Sequence, residues 1–589
     1  MPEPQATTIF CAIAIVIYGG QKRAMQKFLG LLGKFPRWTA LVAGAASAYG
    51  FQPWGLWPLT LVCFALLIQL ISQAPSTRRA FMLGWLFGVG HFTFGNQWIA
   101  VAFTFQAAMP IWLGYIAVFA LALYLAVYPA LAAAGAAWIN HRTMKVLRQT
   151  DESGDDEKPR PTATLHLILA FAGLWIITEW LRSWVFTGYV WNPLSVIMVS
   201  MPPLAEAAAS IGTYGLSGLV CLTAGAIAYF LGSWLRAIRD HWKDGSWLTY
   251  FMGGLLFFVG ITFAALAPFA TWGQESNYGP PDDVPTLITI AQPNISQADK
   301  YAPGYDAVNF AKLAMNSRPM PDQGPRLILW PEAAIPDYLE EGYPYRYYQG
   351  QPGESATGAR ARLTTLMGDG DVLVTGANRL VIEKGQLVAA RNSASAMDAN
   401  GNILGHYDKA HLVPYGEYLP LPWLLRPLGL ARLVPGDLDF WPGPGPQTMT
   451  VKLNGRPVKI GIQICYEMIF SGQVADRKNR PDFIFNPSND AWFGTIGPPQ
   501  HLAQARLRAI EEGLPVVRAT PTGISAVIDA GGRIMKSLPL GTSDRIDAVL
   551  PQAKAPTLFA RFGNILPLGF AGLLIGFALL PLARRARSR

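Results

Sequence analysis

Charged residues are scarce in this chain: only 14% of its 589 residues are Asp, Glu, Lys or Arg, against roughly 25% in soluble domains. Hydrophobic residues make up 51% of the chain, and the mean hydropathy is +0.24. A chain of this length also exceeds the usual size of one domain. The composition excludes an ordinary soluble protein. Together with 46 proline residues, it indicates a membrane protein with a separate, loop-rich soluble part.

Cysteine is scarce as well, and four residues do not make a disulfide framework. Cys11, Cys63 and Cys221 fall in apolar segments, so Cys465 is alone in the more polar region of the chain. We interpret it as a free thiol and a candidate nucleophile. A simple packing role stays open at this point, because free cysteine is among the most buried residue types. The seven histidines lack the spacing of metal ligands, and we expect no metal and no cofactor.

The net charge of +9 does not indicate a nucleic-acid partner. The Lys and Arg residues form short clusters beside apolar runs. That distribution is typical of charges that anchor a protein in a membrane, and not of a surface that follows phosphates. We therefore expect a membrane-embedded protein that binds no nucleic acid.

Long apolar runs predict eight membrane-spanning helices, each near the ~20 residues needed to cross a bilayer. They cover about residues 36–52, 57–73, 80–103, 110–138, 164–184, 209–236, 249–270 and 556–582. The segment before them, residues 1–35, contains an apolar stretch at about 7–18 that is too short to span. Either Met1 or Met25 could be the start of translation.

Basic clusters set the expected orientation of these helices. They precede the first span and follow the second, fourth, sixth and eighth, at Lys22–Arg37, Arg78–Arg79, Arg142–Arg148, Arg236–Lys243 and Arg584–Arg589. By the positive-inside rule, these connections and both termini face the cytoplasm. The long stretch from 272 to 555, between the seventh and eighth spans, is then expected on the outer side of the membrane.

This long stretch has the pattern of a mixed α/β sandwich. Short β-rich runs alternate with helical or loop stretches, at Leu287–Ile290, Leu327–Leu329 and Val372–Val374. Turn residues at Asp398–Asn402 and Asp529–Gly532 predict two hairpins, and residues 501–512 have helical character. We expect a sandwich domain at 272–555, between a transmembrane domain of seven helices at 36–271 and a last helix with a basic tail at 556–589.

Three ionisable residues lie just beyond predicted strands. Glu332 follows Leu327–Trp330, Lys409 follows Ile403–Tyr407, and Cys465 follows an alternating apolar run from Val458 to Ile464. A thiol attacks only as the thiolate. Glu332 could take its proton, and Lys409 could stabilise the oxyanion that develops at an attacked carbonyl. Each residue alone would more often be a packed thiol or a solvated charge, so the combination carries the hypothesis.

The order and contexts of these residues resemble the Glu-Lys-Cys triad of the nitrilase, or carbon–nitrogen hydrolase, superfamily. The similar segments are Trp330–Pro336, Lys409–Glu417, Ile464–Glu467 and Ser488–Gly494, continued by Gly497–His501 and Arg518–Thr520. With eight spans, the chain most resembles the apolipoprotein N-acyltransferases of Gram-negative bacteria. The resemblance covers nearly the whole chain from about residue 36.

This resemblance implies a multi-span α-helical membrane domain in the bacterial inner membrane, joined to an α-β-β-α sandwich in the periplasm. It also implies a two-step acyl transfer, the last step of lipoprotein maturation. Cys465 would take an acyl chain from a phospholipid as a thioester, and the amino group of the diacylglyceryl-cysteine of an apolipoprotein would receive it. Glu332 would be the general base, and Lys409 would stabilise both tetrahedral intermediates.

The same resemblance implies roles for four supporting residues. Glu417 would buttress the triad, and Tyr466 and Glu467 would shape the pocket beside Cys465. Tyr301 stands where the family often carries Trp. Because an aromatic face is kept there, we expect altered lipid packing and retained activity.

Several alternatives stay open from the sequence. The segments Tyr343–Tyr348 and Leu419–Leu430 either contact the membrane or pack as ordinary loops. Glu179 and Arg182, spaced i, i+3, either pair with each other or contact a lipid headgroup. The triad also fits a membrane-tethered nitrilase-type amidase that hydrolyses a C–N bond, although the multi-span half favours transfer. A transporter with a non-catalytic outer domain would leave the Glu-Lys-Cys set unexplained.

Overall fold

The computed structural model describes residues 34–105, 110–150, 163–241, 285–300, 302–319, 324–425, 427 and 439–587. Almost all of the expected N-terminal segment, the whole predicted span at 249–270 and Tyr301 lie outside this part of the chain.

Helices form the first half of the described chain. They are α1 (Pro36–Ser47), α2 (Trp57–Ser72), α3 (Thr77–Gly95), α4 (Ile99–Ala102), α5 (Ile111–Leu125), α6 (Val127–Thr150), α7 (Leu165–Leu181), α8 (Pro202–Ala205) and α9 (Ala208–His241). Short 3-10 helices at Val185–Thr187 and Leu194–Ser200 connect α7 to α8. After the second half of the chain, α15 (Leu558–Phe562) and α16 (Ile565–Arg587) return to this bundle, where α16 packs against α7, α9 and α6.

Three described helical stretches are long and apolar enough to cross a membrane, at Trp112–Leu147, Ala208–Gly232 and Ile565–Ala583. Two further apolar helices, Trp57–Ser72 and Leu165–Leu181, are shorter. We call α1 to α9 with α15 and α16 the membrane region. The count of eight spans stays a prediction.

Several predicted spans differ in their limits from the helices observed; the eighth, expected from 556, begins at Ile565 after the short α15. The third, expected at 80–103, ends at Gly95, where the Asn96 amide donates to the Phe92 carbonyl oxygen at 3.0 Å. Asn side chains compete with the helix in this way. The fourth, expected at 110–138, continues to Thr150 as α5 and α6. The two are separated at Ala126, because Pro129 has no N–H to offer the Leu125 carbonyl.

Two six-stranded sheets form the second half of the chain. The first has the order β12-β1-β2-β3-β4-β5 and the second β11-β10-β9-β8-β7-β6. Their strands are β1 (Leu287–Gln292), β2 (Arg326–Leu329), β3 (Val372–Glu383), β4 (Gln386–Asp398), β5 (Ile403–Asp408), β6 (Thr448–Leu453), β7 (Arg456–Ile462), β8 (Phe483–Pro487), β9 (Val516–Ala519), β10 (Ala526–Ile528), β11 (Ile534–Ser537) and β12 (Asp544–Val549). The three predicted β-rich runs and both predicted hairpins are confirmed.

The two sheets pack face to face, with helices outside, as an α-β-β-α sandwich. Inner-face residues such as Ile290 and Leu329 share one core with Ile462 and Phe485 of the other sheet. The outer faces are covered by α11 (Asp306–Met315) and α12 (Ala356–Thr364) on one side and by α14 (Gly497–Glu512) on the other. Two short helices complete the set, α10 (Gln297–Lys300) and α13 (Pro422–Leu425).

Each sheet contains three parallel strands, β1-β2-β3 in one and β7-β8-β9 in the other. Ligands of open parallel sheets bind beyond the carboxyl ends of the strands. In this sandwich, Glu332 lies three residues beyond β2, Cys465 lies three residues beyond β7, and Lys409 directly follows β5.

Candidate active site

Glu332 is buried at the centre of a hydrogen-bond network. Its Oε2 accepts from the backbone N–H of Asn489 at 2.8 Å. Its Oε1 accepts from Asn392 Nδ2 at 2.7 Å and from Lys409 Nζ at 3.3 Å. Burial would raise the pKa of this carboxyl, but the charges of Lys409 and Lys300 outweigh burial and hold it below its usual value. Glu332 is therefore an ionised carboxylate that is ready to accept a proton.

Lys409 lies between two carboxylates. Its Nζ donates to Glu417 Oε1 at 3.0 Å as well as to Glu332, and its backbone N–H donates to the Asn392 carbonyl oxygen at 2.9 Å. Burial would lower the pKa of Lys409, but the two carboxylates outweigh burial and raise it. Lys409 is thus a fixed ammonium with little exposure to water.

Cys465 begins a one-turn 3-10 helix, Cys465–Ile469, with its backbone at φ +52°. A non-glycine residue with positive φ is uncommon and is often found at functional sites. The thiol is buried and lies close enough to Glu332 and Lys409 for their charges to act on it. Burial and the charge of Glu332 raise the pKa of the thiol, against the opposing charge of Lys409. At rest, the sulfur therefore keeps its proton beside the carboxylate that can remove it.

The three predicted triad residues thus meet in one buried cluster, although 133 positions separate Glu332 from Cys465. A buried thiol beside a paired carboxylate and ammonium provides the groups that acyl transfer through a thioester requires. In such an arrangement the carboxylate can accept and return a proton, and the ammonium can stabilise the negative charge on an attacked carbonyl oxygen.

Glu417 and Asn392 form a second connection between Glu332 and Lys409, in addition to their direct ion pair. Glu417 Oε1 accepts from Lys409 Nζ and from Asn392 Nδ2 at 2.8 Å, and Glu417 Oε2 accepts from the Val413 N–H at 2.8 Å. Asn392 Nδ2 therefore bridges the two carboxylates. The position of Glu417 agrees with the buttressing role that the resemblance implies, which stays a prediction.

Glu467 joins the cysteine loop to the lysine loop. Its Oε2 accepts from the Ile464 N–H at 2.7 Å. Its Oε1 accepts from the Tyr407 hydroxyl at 2.8 Å, from the Ala410 N–H at 2.7 Å and from the His411 N–H at 3.2 Å. Burial raises the pKa of this carboxyl to about 7, against these hydrogen bonds. One side chain thereby fixes the backbone before Cys465 and the backbone after Lys409.

Tyr466 links the cysteine loop to the membrane region. Its hydroxyl donates to the carbonyl oxygen of Gly188 at 3.0 Å, in the loop between α7 and α8. Its ring packs edge to face against Phe470, with the centroids 5.3 Å apart. The fourth supporting residue, Tyr301, lies outside the described residues.

The sequence did not single out three residues that contact the triad, Asn392 and Lys300 through their side chains and Asn489 through its backbone N–H. Asn392 lies inside β4, Asn489 follows β8, and Lys300 ends α10. Lys300 Nζ donates to the Glu332 carbonyl oxygen at 3.1 Å, and burial lowers its pKa to about 8, against the charges of Glu332 and Cys465. A cavity of about 90 Å³ adjoins Lys300 and Glu332. Asn489 falls in the Ser488–Gly494 motif, a signal that could have found it.

Glu179 and Arg182, in the membrane region, form the predicted pair. The Arg182 guanidinium lies 3.9 Å from Glu179 Oε1 and over the Phe92 ring, 5.0 Å from its centroid. Glu179 Oε1 also accepts from the Leu194 N–H at 2.9 Å. The ion pair is confirmed, and contact with a headgroup is untested.

Two family models match the chain. The apolipoprotein N-acyltransferase N-terminal domain matches residues 43–226, and carbon–nitrogen hydrolase matches residues 287–555. The apolipoprotein N-acyltransferase of Rhodopseudomonas palustris is 32% identical over 583 residues, which cover 97% of each chain. The chain belongs to the apolipoprotein N-acyltransferase family. The Caulobacter vibrioides family member is 33% identical over 550 residues, covering 89% of this chain and 91% of that one.

Membership in the apolipoprotein N-acyltransferase family confirms the predicted enzyme class, an acyltransferase with a carbon–nitrogen hydrolase domain and a membrane region. Two solved structures also align with the chain. Nit3 of Saccharomyces cerevisiae, a nitrilase-superfamily protein, aligns with a TM-score of 0.31 and 21% identity, over 45% of this chain and 90% of that one. A carbon–nitrogen hydrolase of Helicobacter pylori aligns with a TM-score of 0.30 and 16% identity, over 45% and 88%.

Proposed function

We propose that this acyltransferase moves an acyl chain from a phospholipid, through a thioester on Cys465, to the N-terminal amino group of the diacylglyceryl-cysteine of apolipoproteins. The observation that carries the proposal is the buried cluster in which the charges of Glu332 and Lys409 act on the Cys465 thiol, beside loops of a membrane region. The names of the relatives support the lipoprotein acceptor.

In the first half-reaction, Glu332 takes the thiol proton as Cys465 Sγ attacks the ester carbonyl of the phospholipid. Lys409 stabilises the oxyanion of the tetrahedral intermediate. The C–O bond then breaks, and Glu332 returns the proton to the leaving alcohol. A lysophospholipid departs, and the acyl chain remains on Cys465 as a thioester.

In the second half-reaction, the neutral amino group of the acceptor attacks the thioester carbonyl, and Lys409 again stabilises the oxyanion. Glu332 accepts the proton that the attacking nitrogen loses. The C–S bond breaks, an amide is formed, and Glu332 returns the proton to the Cys465 sulfur. The low exposure of Lys409 and Cys465 supports transfer, because water that competes with the amine has little access.

The membrane location is part of the mechanism. Burying each CH₂ of an acyl chain is worth about 0.8 kcal/mol, so the donor ester stays at the bilayer surface and the site must meet it there. Leu421 and Trp423 are exposed in Leu419–Leu430, one of the two segments predicted to contact the membrane. Tyr345 is exposed in the other, Tyr343–Tyr348. Trp184 and Phe186, which precede Gly188 in the loop after α7, are also exposed. The aromatic members of this set suit a membrane interface.

The proposal includes the compartment and the domain limits. The five basic clusters support cytoplasmic termini and a periplasmic sandwich at 272–555, between the transmembrane domain at 36–271 and the last helix at 556–589. Protease added to spheroplasts should therefore digest the sandwich while the membrane is intact. Protection of the sandwich until lysis would contradict the periplasmic location.

The test of function is intact-protein mass spectrometry after incubation with phospholipid, followed by peptide mapping. We expect an acyl mass on the peptide that contains Cys465, and its disappearance when a diacylated lipopeptide is added. The lipopeptide should gain the same mass. Ammonia release from an amide, or free fatty acid without N-acylated peptide, would favour the amidase alternative and overturn the transferase proposal.

A further inference from the structure

A completely buried histidine lies behind the nucleophile. His501 Nε2 is 3.0 Å from the carbonyl oxygen of Cys465. A carbonyl oxygen only accepts hydrogen bonds, so Nε2 carries the proton and donates. This bond holds the carbonyl of Cys465, a non-glycine residue with positive φ. His501 comes from α14, 36 residues further along the chain.

The other nitrogen of His501 is fixed by a buried ion pair. His501 Nδ1 lies 3.1 Å from Asp490 Oδ1 and 3.0 Å from the guanidinium of Arg518. Arg518 pairs with Asp490 and donates to Asn486 Oδ1 at 2.6 Å. Burial and the charge of Arg518 lower the pKa of His501, against the charge of Asp490. With the proton on Nε2 of a neutral ring, Nδ1 accepts from Arg518, and its contact with Asp490 is not a hydrogen bond. The ring orientation is thereby set from both nitrogens.

The membrane region closes the same cluster. Trp191, in the loop between α7 and α8, donates from Nε1 to Gln500 Oε1 at 2.8 Å, and its ring centroid lies 5.4 Å from that of His501. Three residues earlier, Gly188 accepts the Tyr466 hydroxyl. One loop of the membrane region thus contacts the Cys465–Tyr466 segment through Tyr466 and through the helix that carries His501.

We propose that His501 is a positioning residue for the nucleophile, and that Trp191 makes the membrane region part of the same support. The peptide unit is planar, with its C=O and N–H pointing in opposite directions. The bond from His501 therefore fixes both the Cys465 carbonyl and the direction of the Tyr466 N–H. It also restricts the backbone that aims Sγ at Glu332. This inference rests on the proposed role of Cys465 as the nucleophile.

The test compares substitutions of His501 that do or do not keep a donor at the Nε2 position. The amide nitrogen of Gln reaches about as far as Nε2, whereas the side chains of Asn and Ala are too short. We expect His501→Ala and His501→Asn to slow acylation of Cys465 on the order of 100-fold, the effect of misplacing a reacting group by about 1 Å. His501→Gln should recover most of the rate, and KM should change little in all three.

Trp191→Phe gives a second test, because it keeps an aromatic ring of smaller size and removes the donor to Gln500. We expect slower acylation of about 3- to 10-fold, the effect of about one hydrogen bond, again with little change in KM. His141→Ala is the matched control. His141 also bonds a backbone carbonyl, that of Ala74 at 3.2 Å, but both residues belong to the membrane region and neither contacts the triad. Acylation should therefore be unchanged in this variant.

Acylation is measured with phospholipid and with p-nitrophenyl butyrate, whose burst of nitrophenol reports on Cys465 without a natural lipid donor. If the wild type is acylated by p-nitrophenyl butyrate but not by phospholipid, the proposed donor is wrong. The bursts of the variants with p-nitrophenyl butyrate then test the role of His501. Normal bursts in His501→Ala would overturn the inference. So would a folded His501→Gln protein that is no faster than His501→Asn, or losses that fall on KM alone.

Discussion

Replacing Glu417 by Gln isolates what one buried carboxylate does for the site. The substitution keeps the shape of the side chain but exchanges one acceptor oxygen for an NH₂ donor. Glu417 now accepts from three donors, Lys409 Nζ at 3.0 Å, Asn392 Nδ2 at 2.8 Å and the Val413 N–H at 2.8 Å. Whichever way the Gln amide is turned, its NH₂ group faces at least one buried donor.

The expected magnitude follows from that mismatch. Leaving a buried donor unsatisfied costs about 1–3 kcal/mol, and more for a charged group. At about 1.36 kcal/mol for each factor of ten, acylation of Cys465 should slow by about 5- to 150-fold. Burial lowers and two carboxylates raise the pKa of Lys409. Loss of one of these charges should therefore lower the pKa of Lys409.

The assay is single-turnover acylation by phospholipid, followed by mass spectrometry across a range of pH. Glu341→Gln is the control. Glu341 also forms an ion pair, with Arg360, but its side chain is 66% exposed. An exposed pair contributes at most about 1 kcal/mol, so that variant should acylate like the wild type. A Glu417→Gln rate within twofold of the wild type would refute the reasoning, as would equal slowing in both variants.

Three further substitutions test the nucleophile, the charge of Lys300 and the protonation of Glu467. Cys465→Ser should form no acyl adduct by mass spectrometry, because an alkoxide is much harder to form than a thiolate; an adduct on the serine would contradict the assignment. Burial lowers the pKa of Lys300 to about 8, so its charge beside the thiolate is present below that pH and lost above it. Acylation should decline as pH rises through about 8, and Lys300→Arg should move that decline upward in a pH–rate profile; an unmoved profile would exclude Lys300 as its cause. Burial raises the pKa of Glu467 to about 7, so the folded chain holds a proton there that the unfolded chain releases above about 4.5. Its contribution to stability should fall as pH rises to about 7, and Glu467→Gln should remove that slope from thermal unfolding measured against pH; an identical slope would contradict the pKa assignment.

The sequence predicted the three triad residues because each follows a strand with a clear apolar pattern. Their meeting required the resemblance, since alternation says where a strand ends and not which strands are neighbours. Asn392 was not predictable in this way. It lies in the middle of β4, and it reaches the site only because β4 pairs with β5, which brings its carbonyl to the Lys409 N–H.

The membrane helices were predicted by hydropathy, and their limits were wrong where local backbone chemistry intervened. Hydropathy averages over a window and does not register the Asn96 side chain that ends α3, or the missing N–H of Pro129 that separates α5 from α6. His501 illustrates a further limit. Its motif was visible, but its partner, the Cys465 carbonyl, is a tertiary contact of the backbone that leaves no pattern in the sequence.

The contacts between the two halves explain why this sandwich needs its membrane region. At Gly212, α9 is kinked (φ +68°), and a Cβ there would lie 2.3 Å from the Phe559 ring. The kink frees the Thr213 N–H to donate to Glu511 of α14 at 2.6 Å. The same α14 carries His501, which holds the Cys465 carbonyl. Glu332 and Lys409 follow strands of the other sheet. The membrane region therefore contacts the side of the site that holds Cys465, whereas Glu332 and Lys409 are positioned by the sandwich. The membrane region thus contacts the helix that holds the Cys465 carbonyl.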